Sequence, residues 1–249
     1  MDTEFPGTVY HPSGVPNHLR STLPPPQFYA VMKQNVDALN IIQLGLTLSD
    51  AHGNLPHFYT GFQYVWQFNF SDFDSDRDIH NPESISLLKR QGIDFLRNKQ
   101  SGIDSRHFAM LFNVSGLGLN FTRPGPWRRN LIWVTFHGPY DFGFLIKILT
   151  RKELPDDLEG FLMLVKLYFG VAVYDLKNMI RAFGLHGGLD RVAKSLNLGR
   201  VAGKSHQAGS DSLLTMQAFV EVSKKYFNGE RMNVMKKFNH KVYGLTYVY

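Results

Sequence analysis

Two carboxylates stand one residue apart at the start of the sequence, in Asp2-Thr3-Glu4. Side chains alternate between the two faces of an extended strand, so Asp2 and Glu4 point the same way. Neighbouring carboxylates raise each other's pKa, and their pairing is unfavourable unless a cation neutralises them or water solvates them. Phe5-Pro6-Gly7 ends the strand, because proline lacks an N–H and glycine turns the chain. The pattern therefore indicates either a hard divalent cation such as Mg²⁺ or Mn²⁺, or an ordinary solvated strand end.

Two further aspartates open predicted helices later in the chain. Asp141 follows the apolar segment 132–136, at a position where capping and the helix dipole favour an acid in any case. Asp211 lies in the first turn of a long apolar helix, and His206 stands five residues before it. In a continuous helix those two side chains would point about 140° apart, but we expect a break at Gly209. The histidine then lies on a loop from which it can reach a metal held by Asp211, unless the pair is only a capping aspartate and an unrelated loop histidine.

The hydrophobic pattern places these residues on a mixture of strands and helices. Alternation and apolar runs predict strands at residues 41–48, 62–70, 132–136 and 171–174. Helical spacing predicts helices at residues 27–39, 82–95, 104–114, 140–150, 157–168, 175–183, 189–196 and 210–227. Turns and one helix join the first three strands, which predicts an antiparallel group. Strands that alternate with helices after residue 132 predict parallel crossovers and an α/β fold.

Two predicted loops carry charges that bear on ligand binding. Four aspartates alternate between residues 72 and 78, but no Gly-x5-Glu follows as in a calcium-binding hand, so we interpret this segment as a solvated loop. Residues 115–130 are rich in glycine and proline and contain Arg123, Arg128 and Arg129. These arginines predict a basic loop that could lie over a polyanion.

The composition narrows the class of protein. A chain of 249 residues is long enough for one large domain with a substantial core. It has no cysteine, which excludes disulfides and thiolate metal sites and fits a reducing compartment. No apolar run approaches the ~20 residues that a membrane span needs, and acids occupy the place of a positive secretory n-region. The net charge of +6 favours polyanionic partners, although a soluble basic protein would show the same excess.

The order of the acids along the chain indicates a class of enzyme more specifically than any single acid does. A strand D-x-E, an aspartate that opens a helix after a buried strand, and a final H-x4-D at a helix start match the DEDDh pattern of 3′→5′ exonucleases. Those enzymes are built on a ribonuclease-H-like sheet. Four carboxylates of this kind hold two divalent cations about 3.5–4 Å apart, which clamp the attacking water and the leaving 3′ oxygen. A histidine takes the proton from that water.

Longer segments resemble one family in particular. They are residues 1–7, 35–37 with 41–47, 66–70, 102–104, 136–137 with 140–143, 174–175 and 206–215. These segments resemble the Caf/Pop deadenylases, the catalytic subunits of the Ccr–Not complex that shorten mRNA poly(A) tails. The resemblance covers nearly the whole chain. The sequence looks like that of a plant member of this family.

The resemblance implies roles for five residues. Asp2, Glu4, Asp141 and Asp211 would ligate two divalent cations, Mg²⁺ or Mn²⁺, and His206 would be the general base. The implied substrate is single-stranded poly(A) RNA, degraded from its 3′ end to 5′-AMP. The implied partners are a Not scaffold and a second, unrelated nuclease subunit, in the cytoplasm and nucleus.

The expected architecture is a ribonuclease-H-like mixed β-sheet flanked by helices. We expect residues 1–249 to form a single exonuclease domain that lacks the upstream helix and the first half of strand 1 found in the family. Residues 121–130 are also richer in arginine and proline than the family pattern. The sequence therefore does not decide how this loop binds the substrate.

Two other functions remain compatible with the sequence. An inactive relative could keep the fold as an adaptor between the Not scaffold and other factors, although an adaptor has no need of all five residues. A DNA-directed or general exonuclease would share the same five residues, because base preference depends on pocket shape and stacking.

Overall fold

The computed structural model describes residues 1–12, 14, 23–118, 131–227 and 231–247. Three antiparallel strands come first, β1 (Asp2–Glu4), β2 (Gln43–Leu46) and β3 (Trp66–Asn69), with β2 in the middle. The register pairs Asp2 with Gly45 and Glu4 with Gln43. The predicted antiparallel group is therefore confirmed, with strands shorter than the predicted ranges.

Two parallel strands, β4 (Trp133–Thr135) and β5 (Val173–Asp175), follow later in the chain, as the alternation of strands and helices predicts. The Met1 amino nitrogen donates to the Val134 carbonyl oxygen at 2.9 Å, which brings β1 beside β4. Because β4 and β5 are parallel, their carboxyl ends meet at one edge. The residues that follow these two strands are therefore neighbours in space.

The helices of the described residues surround this sheet. They are α1 (Pro25–Ala38), α2 (Pro82–Arg90), α3 (Phe95–Ser101), α4 (Ser105–Val114), α5 (Pro139–Thr150), α6 (Leu158–Phe169), α7 (Leu176–Arg181), α8 (Leu189–Ser195), α9 (Ala208–Tyr226) and α10 (Arg231–Phe238). Helix α5 is buried around most of its circumference and packs against α1, α4 and α6. Helix α9 contacts β1, β2 and β3 of the three-stranded sheet and β4 of the two-stranded sheet, and so packs against both sheets.

The single helix predicted over residues 82–95 is wrong, because the chain forms two helices there. Helix α2 ends at Arg90, and Gly92 turns the chain with a φ of +98°. Asp94 then caps α3 by accepting the Arg97 N–H at 2.9 Å. The apolar spacing continues across the break because Ile93 belongs to the same buried cluster as the residues on either side.

Helix α10 is absent from the prediction. Its sequence is mostly polar, so it shows little amphipathic spacing. Phe238, at its end, packs against Phe227 with ring centroids 6.3 Å apart. The contact between Phe238 and Phe227 therefore helps to stabilise α10, although the periodicity of the α10 sequence does not predict this helix.

The segment with the aspartates between residues 72 and 78 is a loop, as predicted, and these aspartates also accept hydrogen bonds within the protein. Asp72 accepts from the Ser105 N–H at 3.0 Å and from its hydroxyl at 2.5 Å. Asp78 accepts from the Asp74 N–H at 2.9 Å and from Asn40 at 3.1 Å. These side chains pair with turn and helix donors, so the segment is a structural connection between β3 and the helices after it.

The basic loop with Arg123, Arg128 and Arg129 falls in residues 119–130, outside the described residues. Among the helices that are described, none combines the length and the apolar character that a membrane crossing requires.

Candidate active site

Helix α9 begins directly on the face of the sheet that carries Asp2 and Glu4. The Ala208 N–H donates to Gln43 Oε1 at 3.3 Å, and the next N–H, of Gly209, donates to Gln67 Oε1 at 3.0 Å. A Cβ on Gly45 would lie 1.9 Å from the Ala208 carbonyl oxygen, so only glycine lets the helix approach this closely. The first turn of α9 is thereby fixed against the carboxylates of β1.

Two carboxylates and one histidine meet at this junction, and two further carboxylates interact with them electrostatically. One ligand atom each of Glu4, His206 and Asp211 lies within 4.8 Å of the other two. The charges of Asp141 and Asp211 act on both Asp2 and Glu4. Glu4, Asp141 and Asp211 are buried and Asp2 is half-buried, whereas His206 is exposed. The structure therefore brings Glu4, His206 and Asp211 together, and it places Asp2 and Asp141 close enough for their charges to interact with these acids.

Burial raises the pKa of these carboxyl groups, and the charges of neighbouring acids raise the pKa of Asp2 and Glu4 further. Burial is the larger cause for Glu4, whose pKa rises to about 8, and the charges of Asp211 and Asp141 add to it. Burial also raises the pKa of Asp141 to about 7 and that of Asp2 well above its usual range. A site of oxygen donors that is this crowded and this costly to ionise has the chemistry of a hard divalent cation site.

Asp141 is positioned by two contacts that the sequence gives no sign of. The Thr3 hydroxyl, on the opposite face of β1 from the two acids, donates to Asp141 Oδ1 at 2.6 Å. The turn before Asp141 is held by Asp175, which accepts the His137 N–H at 2.8 Å and the Gly138 N–H at 3.0 Å. Thr3 lies between the two predicted acids, but no local pattern links it to a residue 138 positions away.

Asp211 is paired with Arg200, which sequence analysis missed. Arg200 Nη1 lies 2.5 Å from Asp211 Oδ1, and Arg200 Nη2 lies 2.7 Å from Asp190 Oδ1. Asp190 also accepts the Ser205 hydroxyl at 2.8 Å. The arginine therefore connects α8, the loop before α9 and the candidate metal ligand. It stands in a segment without a motif, so its sequence position carries no signal.

His206 occupies the turn immediately before α9. It has a φ of +60°, and its N–H donates to Asp211 Oδ2 at 3.0 Å. The predicted break at Gly209 is wrong by position, because α9 begins at Ala208 and the chain turns at His206 itself. The histidine nevertheless lies on a loop with its ring beside Asp211, as the interpretation of this segment requires.

Three comparisons relate the chain to known proteins. Residues 1–108 match the description CAF1 family ribonuclease. Probable CCR4-associated factor 1 homolog 7 of Arabidopsis thaliana is 44% identical over 247 residues, covering 98% of this chain and 83% of the relative. Poly(A) ribonuclease pop2 of Schizosaccharomyces pombe is 39% identical over 246 residues, covering 98% and 67%.

Solved structures agree with these relatives. The structure of S. pombe Pop2p in its Mg²⁺ and Mn²⁺ bound form superposes with a TM-score of 0.84 at 38% identity, covering 98% of this chain and 88% of that one. A chain in the structure of the yeast NOT1 MIF4G domain co-crystallised with CAF1 matches with a TM-score of 0.72 at 33% identity. The match covers 97% of this chain and 85% of that one. These likenesses confirm the predicted fold class, a ribonuclease-H-like mixed sheet flanked by helices.

Proposed function

This chain belongs to the CAF1 family of ribonucleases, and we propose that it is a poly(A)-specific 3′→5′ exoribonuclease that removes poly(A) tails from mRNA within the Ccr–Not complex. The observation that carries this proposal is the convergence of Glu4, His206 and Asp211 within 4.8 Å beside Asp2 and Asp141. An adaptor would gain nothing from burying acids whose pKa values are raised by one another.

The cofactors are two divalent cations, Mg²⁺ or Mn²⁺, the ions bound in the S. pombe Pop2p structure. Asp2, Glu4, Asp141 and Asp211 would hold them, since carboxylate oxygens are the ligands these ions prefer. When bound, such ions stabilise the charge on the attacking water and on the leaving 3′ oxygen of a phosphodiester.

The protein groups divide the remaining work. His206 is exposed at the rim of the carboxylate cluster, where it can accept the proton of a water that attacks the terminal phosphodiester. Arg200 keeps Asp211 in one orientation through the ion pair at 2.5 Å, and Thr3 does the same for Asp141 through its hydroxyl. The release of 5′-AMP leaves a new 3′ end for the next cycle.

The proposed partners follow the relatives. The yeast structure pairs CAF1 with the NOT1 MIF4G domain, and a Not scaffold of that kind is the partner of this chain. Single-stranded poly(A) RNA is the proposed substrate, and a second, unrelated nuclease subunit joins the same complex. The proposed place of action is the cytoplasm and nucleus, where mRNA is made and translated.

One assay separates these activities. The chain is incubated with Mg²⁺ and 5′-labelled oligo(A), oligo(C) or DNA of equal length, with and without excess chelator. We expect a ladder that shortens from the 3′ end of oligo(A) alone and vanishes in chelator. Glu4→Gln should abolish it, whereas Glu83→Gln, an exposed acid on α2, should not.

Each other result rejects a specific part of the proposal. Equal shortening of DNA would make the chain a general exonuclease. An intact oligo(A) with a normally folded protein would leave the adaptor function. Undiminished turnover in excess chelator would remove the metal-dependent chemistry.

A further inference from the structure

A pocket of about 310 Å³ lies at the carboxyl edge of the parallel strands and is lined by positively charged groups. Lys177 and Arg181 lie on α7, and His186 and Gly187 lie in the segment between α7 and α8. Tyr243, from the segment after α10, supplies another wall. None of these residues belongs to the carboxylate cluster.

Lys177 and Arg181 repel each other across this pocket, and the charge of the buried Asp175 offsets only part of the positive charge of Lys177. Within the described residues, neither Lys177 nor Arg181 forms an ion pair with an acid. The nearest acid in sequence, Asp175, is fully buried and already accepts backbone N–H groups of His137, Gly138, Lys177 and Tyr243 at 2.8–3.0 Å. Two cations that share one pocket without a partner repel each other, and an anion would relieve that repulsion.

Lys177 is held in place by two contacts, and the exposed Arg181 contacts one aromatic ring. Lys177 Nζ donates to the Gly187 carbonyl oxygen at 2.5 Å and lies 5.3 Å from the centroid of the Phe136 ring. The Arg181 guanidinium lies 5.9 Å from the centroid of the Tyr243 ring. The carbonyl and the aromatic ring fix Lys177 at the pocket without removing its charge, and a fixed cation loses less entropy when it binds an anion.

Contacts connect the pocket to two segments that carry candidate catalytic residues, the turn before Asp141 and the loop with His206. On one side, Tyr243 packs edge-on against the ring of His137, at the start of the turn that leads to Asp141, with centroids 4.7 Å apart. On the other side, Gly187 precedes α8, where Asp190 accepts from Ser205, the neighbour of His206. A polyanionic chain whose end lies in the carboxylate cluster therefore passes this pocket when it leaves along the α7–α8 side.

We propose that the pocket of Lys177, Arg181, His186 and Tyr243 binds a backbone phosphate of the RNA substrate, upstream of the phosphodiester that is cut. The proposal rests on the exoribonuclease function proposed above. A free phosphate would meet the same cations, but the position beside the catalytic segments favours a phosphate that is tethered to the substrate.

The test compares a long substrate with one that has no upstream phosphate. Initial rates are measured with Mg²⁺ for a twenty-residue oligo(A) and for the dinucleotide ApA, between 50 and 200 mM salt. The variants are Arg181→Gln, Arg181→Lys, Lys177→Gln and the control Lys224→Gln. Lys224 is an exposed cation near the far end of α9, about 24 Å along the helix from its start.

We expect Arg181→Gln to raise the KM for the long substrate about 3- to 10-fold while kcat changes less than about twofold, since the contact binds ground and transition states alike. The ratio of kcat/KM for the long substrate to that for ApA should fall by a similar factor. The salt slope should become shallower by about 0.7, the value for one phosphate contact on a single strand. Arg181→Lys should keep most of the parent ratio, and Lys224→Gln all of it.

Two results would overturn the subsite alone. One is an active parent whose Arg181→Gln and Lys177→Gln variants match Lys224→Gln on the long substrate. The other is an equal loss on both substrates, which would mark a structural role or a site for free phosphate. A parent that leaves both substrates intact would overturn the proposed function, and the subsite with it.

Discussion

Unfolding in a chelating buffer tests the electrostatics of the carboxylate cluster directly. The pKa of Glu4 is raised from 4.5 to about 8 in the folded protein. Between those two values the folded chain binds a proton that the unfolded chain has released. The stability of the metal-free protein therefore falls as the pH rises through this window, and becomes level above the folded pKa.

The size of the effect follows from the shift. One pKa unit corresponds to about 1.36 kcal/mol, so the Glu4 shift sets a ceiling of about 5 kcal/mol. Because Asp2, Asp141 and Asp211 share the same few protons, their contributions do not add. We expect Glu4 to account for about 2 kcal/mol between pH 5 and pH 8, which is about 4–8 °C in Tm for a domain of this size.

The assay is urea unfolding, followed by tryptophan fluorescence, of the parent, Glu4→Gln and the exposed control Glu83→Gln. At pH 5 the three should be equally stable in chelator. By pH 8 Glu4→Gln should exceed the parent by about 2 kcal/mol, because the amide carries no charge. Saturating Mg²⁺ should reverse this order, since a cation that binds only the folded site stabilises the parent. A difference between parent and Glu4→Gln that stays constant with pH would refute the repulsive cluster.

Three further predictions concern the residues around the carboxylates. Arg200→Gln should lower kcat on oligo(A) at saturating Mg²⁺ about 10- to 100-fold, because Asp211 loses its orientation. Arg200→Lys should recover part of the lost kcat. A parent-like kcat for Arg200→Gln would show that the ion pair is not needed for catalysis. His206→Ala should lower the rate about 10²–10⁴-fold while a binding assay shows RNA affinity retained, and a near-parental rate would return it to an ordinary loop histidine. Gly45→Ala should lower the free energy of unfolding by about 1–3 kcal/mol or more through overpacking. The control Gly61→Ala, whose added Cβ meets no atom within 4 Å, should match the parent in the same unfolding assay. Equal losses of stability in the two variants would show that α9 does not depend on its close approach to β2.

The sequence reveals much of this site because the acids sit at positions that local patterns mark. A D-x-E pair on a strand and an aspartate in the first turn of a helix are legible from spacing alone. Their convergence was inferable only from the order of elements and the family resemblance, and their roles stay predictions until the variants are assayed.

Local sequence patterns do not identify the residues that position the acids. Arg200 and Gln43 make their contacts across the tertiary structure, and nothing in the neighbouring sequence indicates a partner. The break between α2 and α3 is hidden for a related reason. Ile93 continues the apolar spacing because burial selects apolar residues in a turn as readily as in a helix.

The four backbone bonds to Asp175 also bear on when the protein becomes active during synthesis. They join the turn before Asp141 to the N–H of Tyr243, and a bridge between Tyr174 and Lys241 joins β5 to the same C-terminal segment. Contacts of such long sequence separation form late, because the chain must close large loops first. At about 5–20 residues per second, roughly 12–50 s pass between the synthesis of β1 and that of this last contact. A nascent chain therefore carries Asp2 and Glu4 before Asp211 and the contact with Tyr243 have been synthesised.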